Sequence, residues 1–180
     1  TTGAQSYGET VSVSLGVDTT LTASRVTFNA PVTGAGYLHV VGDTTLHGGS
    51  ITTVDEQSYS GAVTLTANTV LDAGTADVTL SSTVDGAYSL EIRSAGVTTL
   101  GGAVGGTQAL TSLTTNAGGT LVIDGGRVTT TGAQSYGEAL TLGADTTLQS
   151  TASGHISFAQ TVDGAHALTV DTQGITTWGG

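Results

Sequence analysis

The stretch Gly143-Ala144-Asp145-Thr146-Thr147-Leu148 recurs in altered forms along this 180-residue sequence. Each version closes a short polar run with one apolar or aromatic residue. The closing residues are Leu21, Leu46, Leu71, Leu100, Ile123, Leu148 and Trp178. They follow one another at steps of 23 to 30 residues, about 26 on average, and a period of that size is typical of repeat architectures.

Two longer motifs also repeat. The nine residues TTGAQSYGE occupy Thr1–Glu9 and return unchanged at Thr130–Glu138, and a partial copy contains Gln57-Ser58-Tyr59. The tetrapeptide Val84-Asp85-Gly86-Ala87 returns at Val162-Asp163-Gly164-Ala165. We therefore interpret residues 1–180 as a single solenoid segment and as a fragment of a longer array. The block 103–126 is interpreted as one extra rung.

Within each unit, apolar and polar residues alternate. Val11–Leu15, Ala139–Leu142 and Ile156–Phe158 show this period of two, with Gly, Asn or Asp at the breaks, which predicts short strands and tight turns. Stacked units would pair equivalent strands in parallel, with right-handed crossovers. The predicted fold is all-β: a right-handed parallel β-helix, or β-solenoid, of roughly triangular section, with three short strands per rung and six or seven rungs of ~26 residues.

Alternation also assigns the faces. If Leu148 points inward, its counterparts form one inner column. The residues before them then form one outer column: Thr20, Thr45, Val70, Thr99, Val122, Thr147 and Thr177. Unpaired ladders at the two ends of the stack predict end-to-end self-association.

Composition excludes several classes of partner. The three Arg residues face 14 Asp and Glu residues, and the formal net charge is −11. Such a surface repels phosphate, so we predict no nucleic-acid binding. The sequence has no apolar run near 18 residues, and we predict no membrane insertion. It has no Cys, which excludes disulfides and thiolate metal sites without excluding export.

Acidic residues recur before the repeated strands, at Asp18, Asp43, Asn68 and Asp145. We expect Asp18 and Asp43 to lie on adjacent rungs, where two carboxylates form a weak divalent-cation site. The favoured interpretation is that they are turn residues, because Asp and Asn bond to nearby backbone. Asp85 and Asp163 also fit turns.

Other polar residues suggest no chemistry. His39, His47, His155 and His166 lack ligand spacing, and Ser6, Ser58 and Ser135 lack a nearby His and Asp arrangement. The recurrent Tyr7, Tyr59 and Tyr136 lie too far apart for one continuous stack, and we expect them to pack at corners. We therefore predict no catalytic, cofactor-binding or metal-binding residues, no cofactor, and no enzymatic activity.

The phrases TTGAQSYGEALTLGADTTL, VDGAHALTV and GGAVGGTQALTSLTTNAGGT resemble the repeats of very large filamentous-haemagglutinin-type bacterial surface proteins, over essentially the whole chain. This resemblance implies a β-helix shaft, secreted and held at the bacterial cell surface at the outer membrane. It also implies a role as a non-enzymatic stalk of an adhesin or exoprotein, whose ligand on a host or neighbouring cell is unknown. The alternative is a binding module that uses an outer face for glycan, divalent cation or ice.

Overall fold

The computed structural model describes residues 3–7, 11–13, 18–34 and 36–180. This part of the chain contains 23 β-strands and no helix, and the strands stack in parallel in about eight turns. The predicted β-solenoid is therefore confirmed. The predicted strand Val11–Leu15 is observed as Val11–Val13; Ser14 and Leu15 lie outside the described residues. So do Thr1, Thr2, Gly8 and Glu9 of the first nine-residue motif.

The strands form three sheets along the solenoid axis. The first sheet contains β1 (Gln5–Tyr7), β3 (Thr19–Phe28), β5 (Leu38–Leu46), β7 (Gln57–Tyr59), β10 (Val78–Leu80), β13 (Val97–Leu100), β15 (Thr120–Ile123), β18 (Ala139–Leu142) and β21 (Val162–Asp163), with β8 (Val63–Leu65) and β11 (Val84–Asp85) beside it. The second contains β2 (Val11–Val13), β4 (Val32–Gly34), β6 (Ser50–Thr52), β9 (Thr69–Gly74), β12 (Ser89–Ser94), β14 (Ser112–Thr115), β17 (Gln134–Tyr136), β20 (Ile156–Phe158) and β23 (Thr176–Trp178). The third contains β16 (Arg127–Thr130), β19 (Thr146–Ser150) and β22 (Leu168–Thr172).

The pairing register defines three faces. Face A contains Leu21, Val40, Tyr59, Leu80, Leu100, Ile123 and Leu142 as direct neighbours on successive turns. Face B contains Val26, Thr44, Val63, Val84, Val104, Val128, Leu148 and Val170. Face C contains Val32, Ile51, Leu71, Ile92, Thr115, Tyr136, Phe158 and Trp178.

The turn is shorter than the sequence motif suggested. Successive face A neighbours are 19 to 23 residues apart, not about 26. This is why about eight turns are present instead of six or seven. The single inner column predicted from the motif is wrong: Leu21 and Leu100 lie on face A, Leu46 and Leu148 on face B, and Leu71 on face C. The single outer column of Thr and Val residues is wrong for the same reason.

Inward-pointing side chains fill the solenoid. Leu71, Leu100 and Leu148 are fully buried, and so are the aromatic rings of Phe28 and Tyr59. In the last turns, Tyr136, Phe158 and Trp178 stack on one another, with ring centroids 5.3 and 4.4 Å apart. Each large apolar side chain that is fully buried in this way contributes about 1.5–3 kcal/mol to the stability of the fold.

The first two faces join smoothly where β3 and β5 bend. These strands are ten and nine residues long and serve face A and then face B. The bend in β5 lies at Gly42, which has a φ of 121° and at which an added β-carbon would meet the backbone carbonyl of Ala23. A side chain at Gly42 would be strained twice over, by this φ and by contact with backbone.

Candidate functional site

The repeated Gln-x-Tyr motif forms a buried hydrogen-bond network at a corner. At the start of β7, the Gln57 amide Nε2 donates to the carbonyls of Ile51 and Asp72, at 3.0 and 2.8 Å, and to Thr53 Oγ1 at 3.2 Å. The Tyr59 hydroxyl donates to Gln57 Oε1 at 3.0 Å. Asp72 belongs to the next turn, so this glutamine joins two turns as well as closing its own corner.

The same network forms at the start of β17, at a different corner of the triangle. Gln134 Nε2 donates to Gln149 O at 2.8 Å, to Thr130 Oγ1 at 3.2 Å and to Val128 O at 3.4 Å. Tyr136 donates to Gln134 Oε1 at 2.8 Å. Burial raises the pKa of both tyrosine hydroxyls, Tyr59 and Tyr136, so they remain protonated donors. Tyr59 lies in the inner column of face A and Tyr136 in that of face C, and only their hydroxyls bond to the corner glutamines; the side chain of Tyr7 lies outside the described residues.

The acidic residues before the strands do not come together as a pair. Asp18 lies directly before Thr19, whose strand neighbour on the next turn is Leu38. Asp43 is instead the strand neighbour of Arg25, at another corner. Asp18 and Asp43 do lie on adjacent turns, but at different corners, so the expectation that they lie a few ångströms apart is wrong. The cause is again the turn length, since a step of 25 residues passes one full turn and enters the next face.

These residues instead accept backbone hydrogen bonds from the following turn. Asp43 Oδ1 accepts from Ala62 N at 3.2 Å, Asn68 Oδ1 from Ser89 N at 3.1 Å, and Asp145 Oδ1 from Ala167 N at 2.9 Å. Asp85 Oδ1 accepts from both Thr107 N and Gln108 N, and Asp163 Oδ1 accepts from Gly164 N. Only the bond of Asp163 is local, so for the other four residues the structure shows bonds between turns instead of the predicted Asx-type turns.

The histidines are dispersed over the surface. His47 Nδ1 lies 2.6 Å from Thr66 Oγ1, His155 Nδ1 accepts from Ile175 N, and His166 Nδ1 lies 3.5 Å from an Asp145 oxygen. In the part of the chain that the structure describes, no group of three or more His, Asp or Glu side chains could hold a metal ion. Nor does any helix in those ranges have the length and hydropathy to cross a membrane.

The outward rows are chemically mixed. On face A the row contains Thr20, His39, Ser58, Thr79, Thr99, Val122 and Thr141. On face B it contains Ser6, Thr27, Thr45, Thr64 and Asp85. Neither face carries the two regular ranks of Thr that an ice-binding solenoid presents, so the geometry does not favour that alternative.

An open depression of about 360 Å³ lies at the corner that leads into face A, and sequence reasoning missed it. It is lined by Tyr37, Asp55, Glu56, Ala76 and Asp77. Tyr37, Glu56 and Asp77 directly precede residues that pair on successive turns. A turn of 19 to 21 residues would have aligned them in the sequence, but the 26-residue period kept them apart. The depression offers one aromatic ring and three carboxylates to a ligand.

These features define a parallel β-solenoid whose repeated motifs build its corners. No protein-family model, curated protein or solved structure matches the chain.

Proposed function

We propose that this chain is a non-enzymatic stalk segment of a filamentous-haemagglutinin-like bacterial adhesin or exoprotein, secreted and displayed at the cell surface. The observation that carries the proposal is the set of parallel ladders that follow the axis on all three faces, with face B continued through isolated bridges at Val104. Eight turns spaced ~4.8 Å apart give a rod roughly 40 Å long. The residues of the repeated motifs lie in the core or form the corners, so they serve the structure, as expected of a rigid spacer.

A length series tests the stalk proposal. The block 103–126 carries Val104, which pairs with Val84 before it and with Val128 after it, so one copy should add one turn. Chains with one and two additional copies should lengthen by ~4.8 Å per copy in small-angle X-ray scattering. The same chains, bound to beads, should not attach to host cells through their side walls. A length that does not grow with copy number, or saturable wall binding, would overturn the proposal.

The depression lined by Tyr37 favours glycan binding as the second candidate function. Sugars bind by stacking on an aromatic ring while carboxylates accept hydrogen bonds from their hydroxyl groups. Calorimetric titration with a panel of neutral oligosaccharides tests this candidate. Binding that is lost in Tyr37→Ala but retained in Tyr88→Ala would support it, since Tyr88 is an exposed tyrosine elsewhere on the surface. A panel without any binder would leave the stalk as the function.

The last described turn favours end-to-end association. Ile175 and Trp178 are 62% and 55% exposed, and β21, β22 and β23 have a partner strand on one side only. This surface would accept a further parallel turn, either from a continuation of the chain or from another copy. Ile175→Asp should weaken concentration-dependent association in analytical ultracentrifugation. Val54→Asp is the matched control, because Val54 is 59% exposed on the side wall. A monomer at every concentration would contradict the association.

A further inference from the structure

One carboxyl group is buried inside the solenoid wall. Glu138 lies at the corner between β17 and β18 and is only 2% exposed. It occupies the position directly before Ala139, which pairs with Thr120, so Gly119 is its counterpart on the preceding turn. A side chain at Gly119 would lie 2.8 Å from Glu138 Oε2 and 2.9 Å from the Ser94 carbonyl. The missing side chain at Gly119 therefore provides the space that the carboxyl group occupies.

The polar groups beside this carboxyl group include the hydroxyls of Thr98 and Thr115 and backbone carbonyls around Gly119, and none of them is positively charged. Neither oxygen of Glu138 has a hydrogen-bond partner, and the hydroxyl of the fully buried Thr98 has none either. The Thr115 hydroxyl already accepts from Gly137 N at 3.3 Å. Thr98 and Thr115 lie near enough to favour the charged form slightly, but neither makes a hydrogen bond of regular geometry with the carboxyl group.

Charge compensation is also lacking at this corner. The segments packed against Glu138 are 94–97 and 116–120 on the preceding turns and 159–162 on the next, and all of their residues are uncharged. Asp77, on an earlier turn of the same corner, is exposed and accepts from Val97 N at 2.7 Å. Arg93 pairs with Glu91, and Arg127 donates to Thr129 and Gln149.

We propose that Glu138 is a proton-dependent lock in the solenoid wall. As an uncharged carboxylic acid it packs inside the corner and can donate a hydrogen bond to a neighbouring oxygen. As a carboxylate it is a desolvated charge with no positively charged partner, and its ionisation loosens the corner that joins face C to face A. Such a device would make this part of the rod respond to pH, which the stalk function alone does not require.

The direction of the effect follows from linkage. Burial raises the pKa of Glu138 to about 7, from an ordinary value of 4.5. The folded chain therefore holds a proton that the unfolded chain has lost, and stability falls as the pH rises from about 4.5 to about 7. The corresponding weakening of the folding equilibrium constant is at most roughly 300-fold, and it is complete above the folded-state pKa.

Urea unfolding at pH 5 and pH 8.5 tests the lock, with Glu138→Gln against Glu56→Gln. The control removes an exposed carboxylate from another turn of the same corner. The informative quantity is the difference between variants, because it cancels every pH-dependent contribution that the chains share. Wild type and Glu56→Gln should weaken by the same factor on going to pH 8.5, whereas Glu138→Gln should lose most of that dependence. Equal pH dependence in all three chains would refute the lock.

Two further measurements keep the proposal testable if Glu138→Gln fails to fold. A carboxyl ¹³C titration of the wild-type chain should show one glutamate with a midpoint near 7, and midpoints all at ordinary values would overturn the proposal. Wild-type stability at pH 8.5 is then compared in NaCl and in tetramethylammonium chloride of equal ionic strength. Equal stability in the two salts supports the lock. Specific stabilisation by sodium would instead identify the carboxylate as a cation ligand.

Discussion

Replacing Gln57 by Ala should strongly destabilise the solenoid, although the side chain carries no charge and performs no chemistry. The amide donates to two backbone carbonyls and one hydroxyl, and its oxygen accepts from Tyr59. Both Gln57 and Tyr59 are fully buried, so water cannot replace the lost partners without opening the corner. The variant therefore tests whether the Gln-x-Tyr motif is an architectural element.

The magnitude follows from which groups lose all partners. The Asp72 carbonyl also accepts from Thr53 N at 2.8 Å, so it keeps one hydrogen bond in the variant. The Tyr59 hydroxyl loses its acceptor and remains buried, which costs about 1–3 kcal/mol, and each further lost hydrogen bond costs about 1 kcal/mol. The expected loss in the free energy of unfolding is about 3–5 kcal/mol.

The assay is urea unfolding followed by circular dichroism and by Trp178 fluorescence. Coincident transitions establish two-state behaviour, which a repeat protein need not show, and the midpoint shift at unchanged slope then gives the free energy. Tyr59→Phe should cost about 1–2 kcal/mol. The double variant should cost less than the sum of the two single variants, because no hydroxyl is then left unpaired. Ser58→Ala, on the outward row between them, is the control and should cost less than about 0.5 kcal/mol.

The second copy of the network supplies an independent check. Gln134→Ala should cost about as much as Gln57→Ala, because Gln134 has the same types of partner at another corner. A loss at both glutamines no larger than that of Ser58→Ala would refute the reasoning. A loss at one corner only would show that the two networks are not equivalent.

Three further perturbations have definite expected results. Phe158→Ala removes the ring between Tyr136 and Trp178, should cost about 3–5 kcal/mol and should change the near-ultraviolet dichroism. Gly42→Ala should be far more destabilising in the same urea assay than Gly74→Ala, since a β-carbon at Gly42 meets backbone, whereas the one at Gly74 meets open space and costs only about 1 kcal/mol. Deleting 103–126 should leave a shorter folded solenoid by circular dichroism and scattering, and an unfolded chain would contradict the one-turn interpretation.

The fold was predictable because the sequence shows period-two alternation with Gly, Asp and Asn at the breaks. Val78–Leu80 and Ile156–Phe158 are strands in which the outer two residues are buried and the middle one is not. Parallel stacking then follows, because a three-residue strand cannot bury its apolar side alone. These inferences depend only on local pattern and on the repetition of that pattern, and neither requires the correct turn length.

The side-chain columns were not predictable from the most visible motif. Leu21 and Leu46 look like successive repeats, yet Val40 is the residue that follows Leu21 on face A. From Val40 the chain bends at Gly42 and reaches Leu46 on face B. The motif thus returns one turn later and on the next face. The inner and outer rows that were predicted from it therefore combine residues from all three faces. The depression at Tyr37 was missed through the same error.

The equivalence of the corners explains why motif spacing and turn length can differ. The Gln-x-Tyr network begins a face A strand at Gln57 and a face C strand at Gln134, with the same types of donor and acceptor. A corner sequence is therefore specified by its own turn and by the turn stacked beside it, and not by the face that it precedes. Repeats can then accumulate in units of one strand and one corner. Glu138 depends on its local context in addition. It is the only buried carboxyl side chain in the described chain, and its counterpart on the preceding turn is Gly119, which leaves space for it.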